Sequence, residues 1–256
     1  MSLQESKVAI VTGASQGIGA AIARVLARDG FRVVAVARTA GALETVVESL
    51  STPSIAVPCD LRAPGAADEV VDVVLGRVGR IDLLVNNAGA TPRGDFLSFS
   101  DSDWHEGFAL KFFATVALCR VAWPALLASH GAVVNIAGIG GRTGNAEFTI
   151  GGSVNAALLN LTKALADRGI RDGIRVNAVN PSSIATERTR KRIQTIADAQ
   201  AITIEQAAEN LARQLGVARL GTPEEIANVV AFLASDAASY MQGAIVDVDG
   251  GQTRTL

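Results

Sequence analysis

Three glycines, at 13, 17 and 19, stand in the stretch VAIVTGASQGIG from Val8 to Gly19, between a short apolar run and the alanine-rich segment AAIARVLARDG. A glycine turn that joins a strand to a helix suits the binding of a pyrophosphate. Gly13 can take a positive φ, Gly17 and Gly19 let backbone approach the anion, and the first N–H groups of the helix face it. Ser15, Gln16 and Ile18 complete the turn. An ordinary βα turn would use the same glycines, so this stretch alone leaves both readings open. Polar residues end other apolar runs: Arg38 after FRVVAVA, Asp60 with Leu61 after SIAVPC, and Asn87, Ala88 and Gly89 after IDLLVN. In a dinucleotide-binding fold the second strand ends at the adenosine ribose, where a carboxylate would accept hydrogen bonds from the 2′-hydroxyl. Arg38 offers instead a permanently charged, planar fork that suits a 2′-phosphate, which predicts NADP(H) in preference to NAD(H). The alternative is a solvated arginine at a strand end.

The elements that must carry these residues alternate. Strands are expected at 8–11, 31–37, 54–58, 81–85, 132–136, 175–179 and 244–248, and helices at 43–50, 66–78, 104–129, 153–168 and 223–234, besides the one that follows Gly19. Thr222 and Pro223 mark the start of the last helix. This order predicts an α/β fold: a single-domain, Rossmann-type doubly wound parallel sheet of about seven strands with helices on both faces, over residues 1–256. Ligands of such a sheet bind at the carboxyl ends of the strands, where Gly13, Arg38, Asp60 and Asn87 would meet. The charged, helical stretch at about 182–220 is expected to be a substrate lid.

An apolar fraction of 49% over 256 residues supports a large core, and a net charge of -2 gives no reason to expect nucleic acid or an anionic membrane as partner. A small molecule is the expected partner. Neither a signal peptide nor an uninterrupted apolar run of membrane-spanning length is read, and Cys59 and Cys119 are too few for a disulfide framework. A cytoplasmic location is expected. Neither cysteine has a Cys or His at metal-ligand spacing, so no metal site is expected.

TGASQGIG at 12–19, Asp60 with Leu61, NNAG at 86–89, NP at 180–181 with Thr186 beyond, and the ending RLGTPEEIANVVAFLASDAASYMQGAIVDVDGG are similar, in order and spacing, to the short-chain dehydrogenase/reductase family over nearly the whole chain. The resemblance implies that Asp60 contacts the adenine, that the turn at Asn87, Ala88 and Gly89 supports the cofactor, and that Ile184 and Thr186, after Pro181, contact the nicotinamide carboxamide. It also implies a homodimer or homotetramer. Ser182 stands where the family usually has glycine.

The resemblance further implies a Tyr acid/base, a Lys four residues later, a Ser on the preceding strand end and an Asn in the central helix. With ALLNLTKALA as anchor, those positions hold Gly151, Asn155, Gly138 and Lys111. The single tyrosine, Tyr240, is followed four residues on by Ala244, so no YxxxK motif exists. Loss of a positioned proton donor typically costs about 10² to 10⁴ in rate. The Asn and Lys types are exchanged between the two helices, so Lys111 could return an ammonium to the site, to bind the nicotinamide ribose or to act as an acid; otherwise it fills space and pairs with a carboxylate. Glycine at 138 and 151 is expected to leave room for a bulkier ligand or for water. Glu147, Thr149 and Ser153 bracket Gly151, with Ser153 and Glu147 the further catalytic candidates, whereas His105 and His130 read as surface residues. The basic run Arg188, Arg190, Lys191, Arg192 would either meet an anionic substrate or form a solvated helix face. Three functions stay open: an NADP-dependent oxidoreductase with a non-standard acid, a non-catalytic nucleotide-binding protein, and non-redox chemistry in the same pocket.

Overall fold

The computed structural model describes residues 6–254. Its strands are β1 (Val8–Thr12), β2 (Arg32–Ala37), β3 (Ile55–Pro58), β4 (Leu83–Asn86), β5 (Ala132–Ile136), β6 (Arg175–Pro181) and β7 (Ile245–Val248). All neighbours pair in parallel, in the order β3-β2-β1-β4-β5-β6-β7. Every residue of β1, β4 and β5 is buried, as a parallel sheet covered on both faces requires. This is the expected single-domain, doubly wound fold.

The helices are α1 (Gly17–Arg28), α2 (Ala40–Glu48), α3 (Ala66–Val78), α4 (Asp101–Phe108), α5 (Ala114–Ser129), α6 (Thr149–Asp172), α7 (Glu187–Gln200), α8 (Ile204–Leu215) and α9 (Pro223–Ala234). Two cores lie on opposite faces of the sheet. One gathers Ile22 and Leu26 of α1, Leu43 of α2, and Ile226 and Val230 of α9; the other gathers Val70 and Val74 of α3 with Leu118 and Leu126 of α5. Between β4, β5 and α6 runs a buried polar ladder, in which Asn86 Nδ2 donates to Asn135 Oδ1 (2.9 Å) and Asn135 Nδ2 donates to Thr162 Oγ1 (2.9 Å).

The helix expected at 43–50 runs Ala40–Glu48, and two helices beside the strand ends also differ from expectation. The helix expected from Ser153 begins four residues earlier, at Thr149, so Gly151 and Gly152 are helical. Glycines lower intrinsic helix propensity, but burial of Ile150 and Gly151 outweighs it. The helix expected at 104–129 begins at Asp101, where Ser100 and Asp103 form a capping box, and widens into a π turn at Ala109–Phe113 that carries Lys111. The continuous helical run Asp101–Ser129 is long and apolar enough, by length and composition, to cross a membrane. Lys111 and Arg120 interrupt it in sequence, and Leu118, Ala122 and Leu126 are buried in the sheet-side core. About a third of its most apolar window is buried.

Candidate active site

The glycine turn is built as a cradle. Gly13 and Gly17 take φ of +66° and +55°, which side chains rarely adopt. A Cβ on Gly19 would fall 2.2 Å from the Gly13 carbonyl oxygen and 2.6 Å from Asn87 Nδ2. Gln16 precedes α1 without a side-chain cap, so it leaves the first N–H groups of this helix uncapped. Thr12 and Asn87 fasten the turn: the Thr12 hydroxyl accepts the N–H groups of Asn87 and Ala88 (both 2.9 Å), and Asn87 Nδ2 donates to the Thr12 carbonyl (2.9 Å). Thr12 is a site residue that sequence reasoning passed over, although its place at the end of a buried strand was the available signal.

Arg38 is exposed at the end of β2. At the end of β3, Asp60 takes a bidentate pair from Arg62 (2.7 and 3.0 Å) and accepts the Arg62 N–H. These bonds, aided by the charge of Arg38, hold the Asp60 carboxyl at about 2, well below the usual range. On the other side, Ile184 is buried and pairs with Gly221, while the Thr186 methyl would stand 3.3 Å from a Cβ on Gly17. Thr186 caps α7 by accepting the Thr189 N–H. The start of α7 thus lies against the glycine turn. Ser15, Gln16, Ile18, Leu61, Gly89 and Pro181 belong to the same set of strand ends and their first turns.

The four positions that resemble the family's catalytic set converge at the end of β5. Lys111 Nζ donates to the Ala137 carbonyl (2.7 Å), and its stem packs 2.9 Å from where a Cβ on Gly89 would stand. The next residue, Gly138, faces the Asn155 carboxamide, 2.8 Å from the place of a Cβ. Gly138 N–H donates to Asn180 Oδ1 (2.9 Å), Asn180 donates to Asp247 (2.7 Å), and Asp247 pairs with Arg142 at 3.3 Å, which fixes this peptide from β6 and β7. Asn155 is 3% exposed, and its Oδ1 has no hydrogen-bond partner among the described residues. Lys111 makes no carboxylate pair among the described residues. Burial, and secondarily the charge of Arg188, lower its ammonium to about 7.

The space expected at the two glycines is filled. The Phe148 ring comes within 2.1 Å of where a Cβ on Gly151 would be and within 3.0 Å of one on Gly140, and the Asn155 amide occupies the space beside Gly138. The Arg93 guanidinium lies 4.3 Å from the centre of the Phe148 ring. Nothing in the sequence pattern marked Phe148 or Arg93, because only the fold brings the loop after β4 against the turn before α6. Ser153 sits on the exposed side of α6, away from buried Gly151 and Asn155, and so is not brought to this site. Glu147 is exposed in that same turn, and its charge acts on Arg93. Thr149 Oγ1 is buried without a partner among the described residues. His105 is exposed on α4, and His130 ends α5 at φ 49°. Cys119 is no nucleophile, since burial pushes its thiol up to about 12.

Residues 13–253 match the family model described as "Enoyl-(Acyl carrier protein) reductase". The chain is 35% identical to meso-2,3-butanediol dehydrogenase of Serratia marcescens over 254 residues, 97% of this chain and 95% of that protein. It is 33% identical to 3-oxoacyl-[acyl-carrier-protein] reductase FabG of Escherichia coli (strain K12) over 248 residues, 96% of this chain and 97% of the relative. Among solved structures, L-sorbose reductase from Gluconobacter frateurii, complexed with NADPH and L-sorbose, superposes with a TM-score of 0.93 at 33% identity, covering 98% of each chain.

The buried ammonium has a consequence for stability. The folded chain releases the Lys111 proton near 7, whereas the unfolded chain holds it to the ordinary value of 10.5. Between those values the unfolded state binds more protons, so stability rises with pH over this window. Urea unfolding of wild type and Lys111→Met at pH 7, 8, 9 and 10 should show the wild type gaining on the variant at each step. A gap that stays constant with pH would rule out a desolvated amine.

Proposed function

The chain belongs to the short-chain dehydrogenase/reductase family of oxidoreductases, and we propose that it is an NADP(H)-binding member acting on a small carbonyl or alcohol substrate through a non-standard catalytic site. One observation carries this reading: a desolvated lysine and an unpartnered carboxamide meet at the Ala137–Gly138 peptide, where the family resemblance puts the catalytic set. The cofactor region supports it. The cradle of Gly13, Gly17 and Gly19 has room only for backbone, and Arg38 ends β2 without a carboxylate beside it in sequence. In this reading Ser15, Gln16 and Ile18 join the glycines at the pyrophosphate, Arg38 takes the 2′-phosphate, Asp60 and Leu61 meet the adenine, and Asn87, Ala88, Gly89, Pro181, Ile184 and Thr186 line the nicotinamide side.

The bound cofactor supplies hydride chemistry. What the chain supplies is a proton and a dipole. Lys111 Nζ, with its affinity near neutrality, is suited to hand a proton to a developing alkoxide and to take it back in the reverse direction. The Asn155 carboxamide faces Gly138, where its Nδ2 would be the group to donate to the same oxygen in place of a serine hydroxyl, while its Oδ1 has no partner among the described residues. The helices α7 and α8 serve as the lid over residues 182–220.

A second reading, a catalytically inactive nucleotide-binding protein, is favoured by one observation. The Phe148 ring fills the position of the expected tyrosine with a group that carries no hydroxyl.

We also propose a homodimer or homotetramer that covers the apolar outer faces of the π turn, α5 and α6, where Phe113, Leu127 and Ile170 respectively are 58%, 45% and 68% exposed.

NADPH is expected to bind at least tenfold more tightly than NADH by fluorescence titration, and Arg38→Ala to erase that preference; equal affinity in the wild type would remove the role of Arg38. Turnover of NADPH across a panel of carbonyl substrates should fall about 10² to 10⁴-fold in Lys111→Ala. Turnover that survives in that variant would assign the acid elsewhere, and no turnover in the wild type would favour the inactive reading. Sedimentation should give a dimer or tetramer, whereas a monomer at micromolar concentration would refute the proposed assembly.

A further inference from the structure

Three arginines from two segments, the loop after β4 and helix α7, lie near the Lys111 site. Arg93 stands in the loop after β4, which is tied to the turn before α6 by the Gly94 N–H donating to the Glu147 carbonyl (3.1 Å). Its guanidinium lies 4.3 Å from the centre of the Phe148 ring, the ring that covers the Gly151 position. Arg188 and Arg192 lie one turn apart on α7, the helix whose capping Thr186 rests against Gly17. The charges of Arg192 and Arg188 both act on Arg93, and that of Arg188 also acts on Lys111. Charges from the β4 loop, the π turn and the lid helix thus act on one another. A solvated helix face would not gather charges from three elements.

The opposing charge is sparse. Among the described residues Arg93, Arg188, Arg192 and Lys111 form no ion pair within 4.0 Å, and Glu147 is the one carboxylate whose charge acts on Arg93. Glu187, on the same helix, pairs with Arg190 at 4.0 Å instead. In a chain of net charge -2, these four cations, with Glu147 the carboxylate whose charge acts on Arg93, are a local concentration of positive field. The contact with the Phe148 ring is a cation–π contact that uses none of the Arg93 N–H donors of the kind a planar or tetrahedral oxyanion would accept from.

We infer that Arg93, Arg188 and Arg192 form an anion-recognition wall over the Phe148 ring, so that the substrate of this site carries a carboxylate or phosphate group beside its reacting carbon. This inference rests on the reading of the cleft as a substrate site. Carboxylate and phosphate share the required chemistry, a fork of anionic oxygens that accepts from guanidinium groups, and the two are separated by test.

The test is calorimetric titration of the full chain, saturated with NADP+ to keep probes from the glycine turn, with oxalate, with inorganic phosphate and with neutral oxamide. Saturable binding of oxalate or phosphate, absent for oxamide, is expected, and the tighter of the two names the group. Arg93→Met and the double variant Arg188→Met, Arg192→Met should each weaken it about tenfold or more, while Arg190→Met leaves it unchanged. No saturable binding of either anion, or equal binding by these arginine variants, would overturn the inference. If NADP+ itself fails to bind, the oxidoreductase reading fails instead, and the anion titrations then run without it beside Arg38→Ala, whose unchanged affinity would keep the wall.

Discussion

The hydroxyl of Thr12 and the carboxamide of Asn87 hold the molecule together at its point of use. Thr12 is 1% exposed; its Oγ1 donates to the Val85 carbonyl (3.3 Å) and accepts two N–H groups from the turn after β4. Asn87 returns its amide to the carbonyls of Thr12 and Gly13 (2.9 and 3.4 Å). These bonds span β1 and β4, the neighbours at which the strand order reverses and a crevice opens. Each contributes on the order of 1 kcal/mol net, but a buried donor left unmet costs about 1–3 kcal/mol, so the set resists piecemeal loss. The positive φ of Gly13 and the close packing of Gly19 follow from it, because a side chain at either glycine would strike the Asn87 amide.

A second set of bonds does the same for the β5 end. Asn180, Asp247 and Arg142 hold the Gly138 peptide from one side, and Lys111 bonds to the preceding carbonyl from the other. The cation reaches that carbonyl from a π turn, whose extra residue breaks the regular helical register between α4 and α5. Within this turn the Lys111 carbonyl still accepts the Thr115 hydroxyl at 2.8 Å, so the widened segment is not left with an idle acceptor there.

Much of the frame was legible because its signals are local. Strands buried on both faces read as unbroken apolar runs, and α3, β5 and α9 begin and end where the residue pattern places them. Gly13, Gly17 and Gly19 announced a turn whose geometry only glycine permits. The site was legible in part: Lys111, Asn155 and Gly138 do meet around one peptide, and Gly151 stands one turn before Asn155 on α6. Phe148 was not legible, since a phenylalanine before a helix has no local mark, and its ring is placed by the two glycines that it covers. The π turn was also hidden, because apolar spacing over Ala109–Phe113 reads as ordinary helix. The early start of α6 was masked by Gly151 and Gly152, which weaken helical propensity exactly where packing demands a helix.

The arrangement of charge links binding to proton transfer. Burial is the larger cause that lowers the Lys111 ammonium, and repulsion from Arg188 is the second. An anion held by Arg188 offsets that repulsion and raises the proton affinity of Lys111. By linkage, a protonated Lys111 strengthens the hold on the anion by the same free energy. An empty cleft then favours a neutral amine, whose desolvation costs little, and a filled one favours the ammonium that a developing alkoxide needs. A tyrosine at the Gly151 position would not couple in this sense, because its charged form is an anion and nearby cations favour loss of its proton. If Lys111 is the acid, as proposed, a lysine on the π turn beside Arg188 would couple the acid to the charge of its substrate.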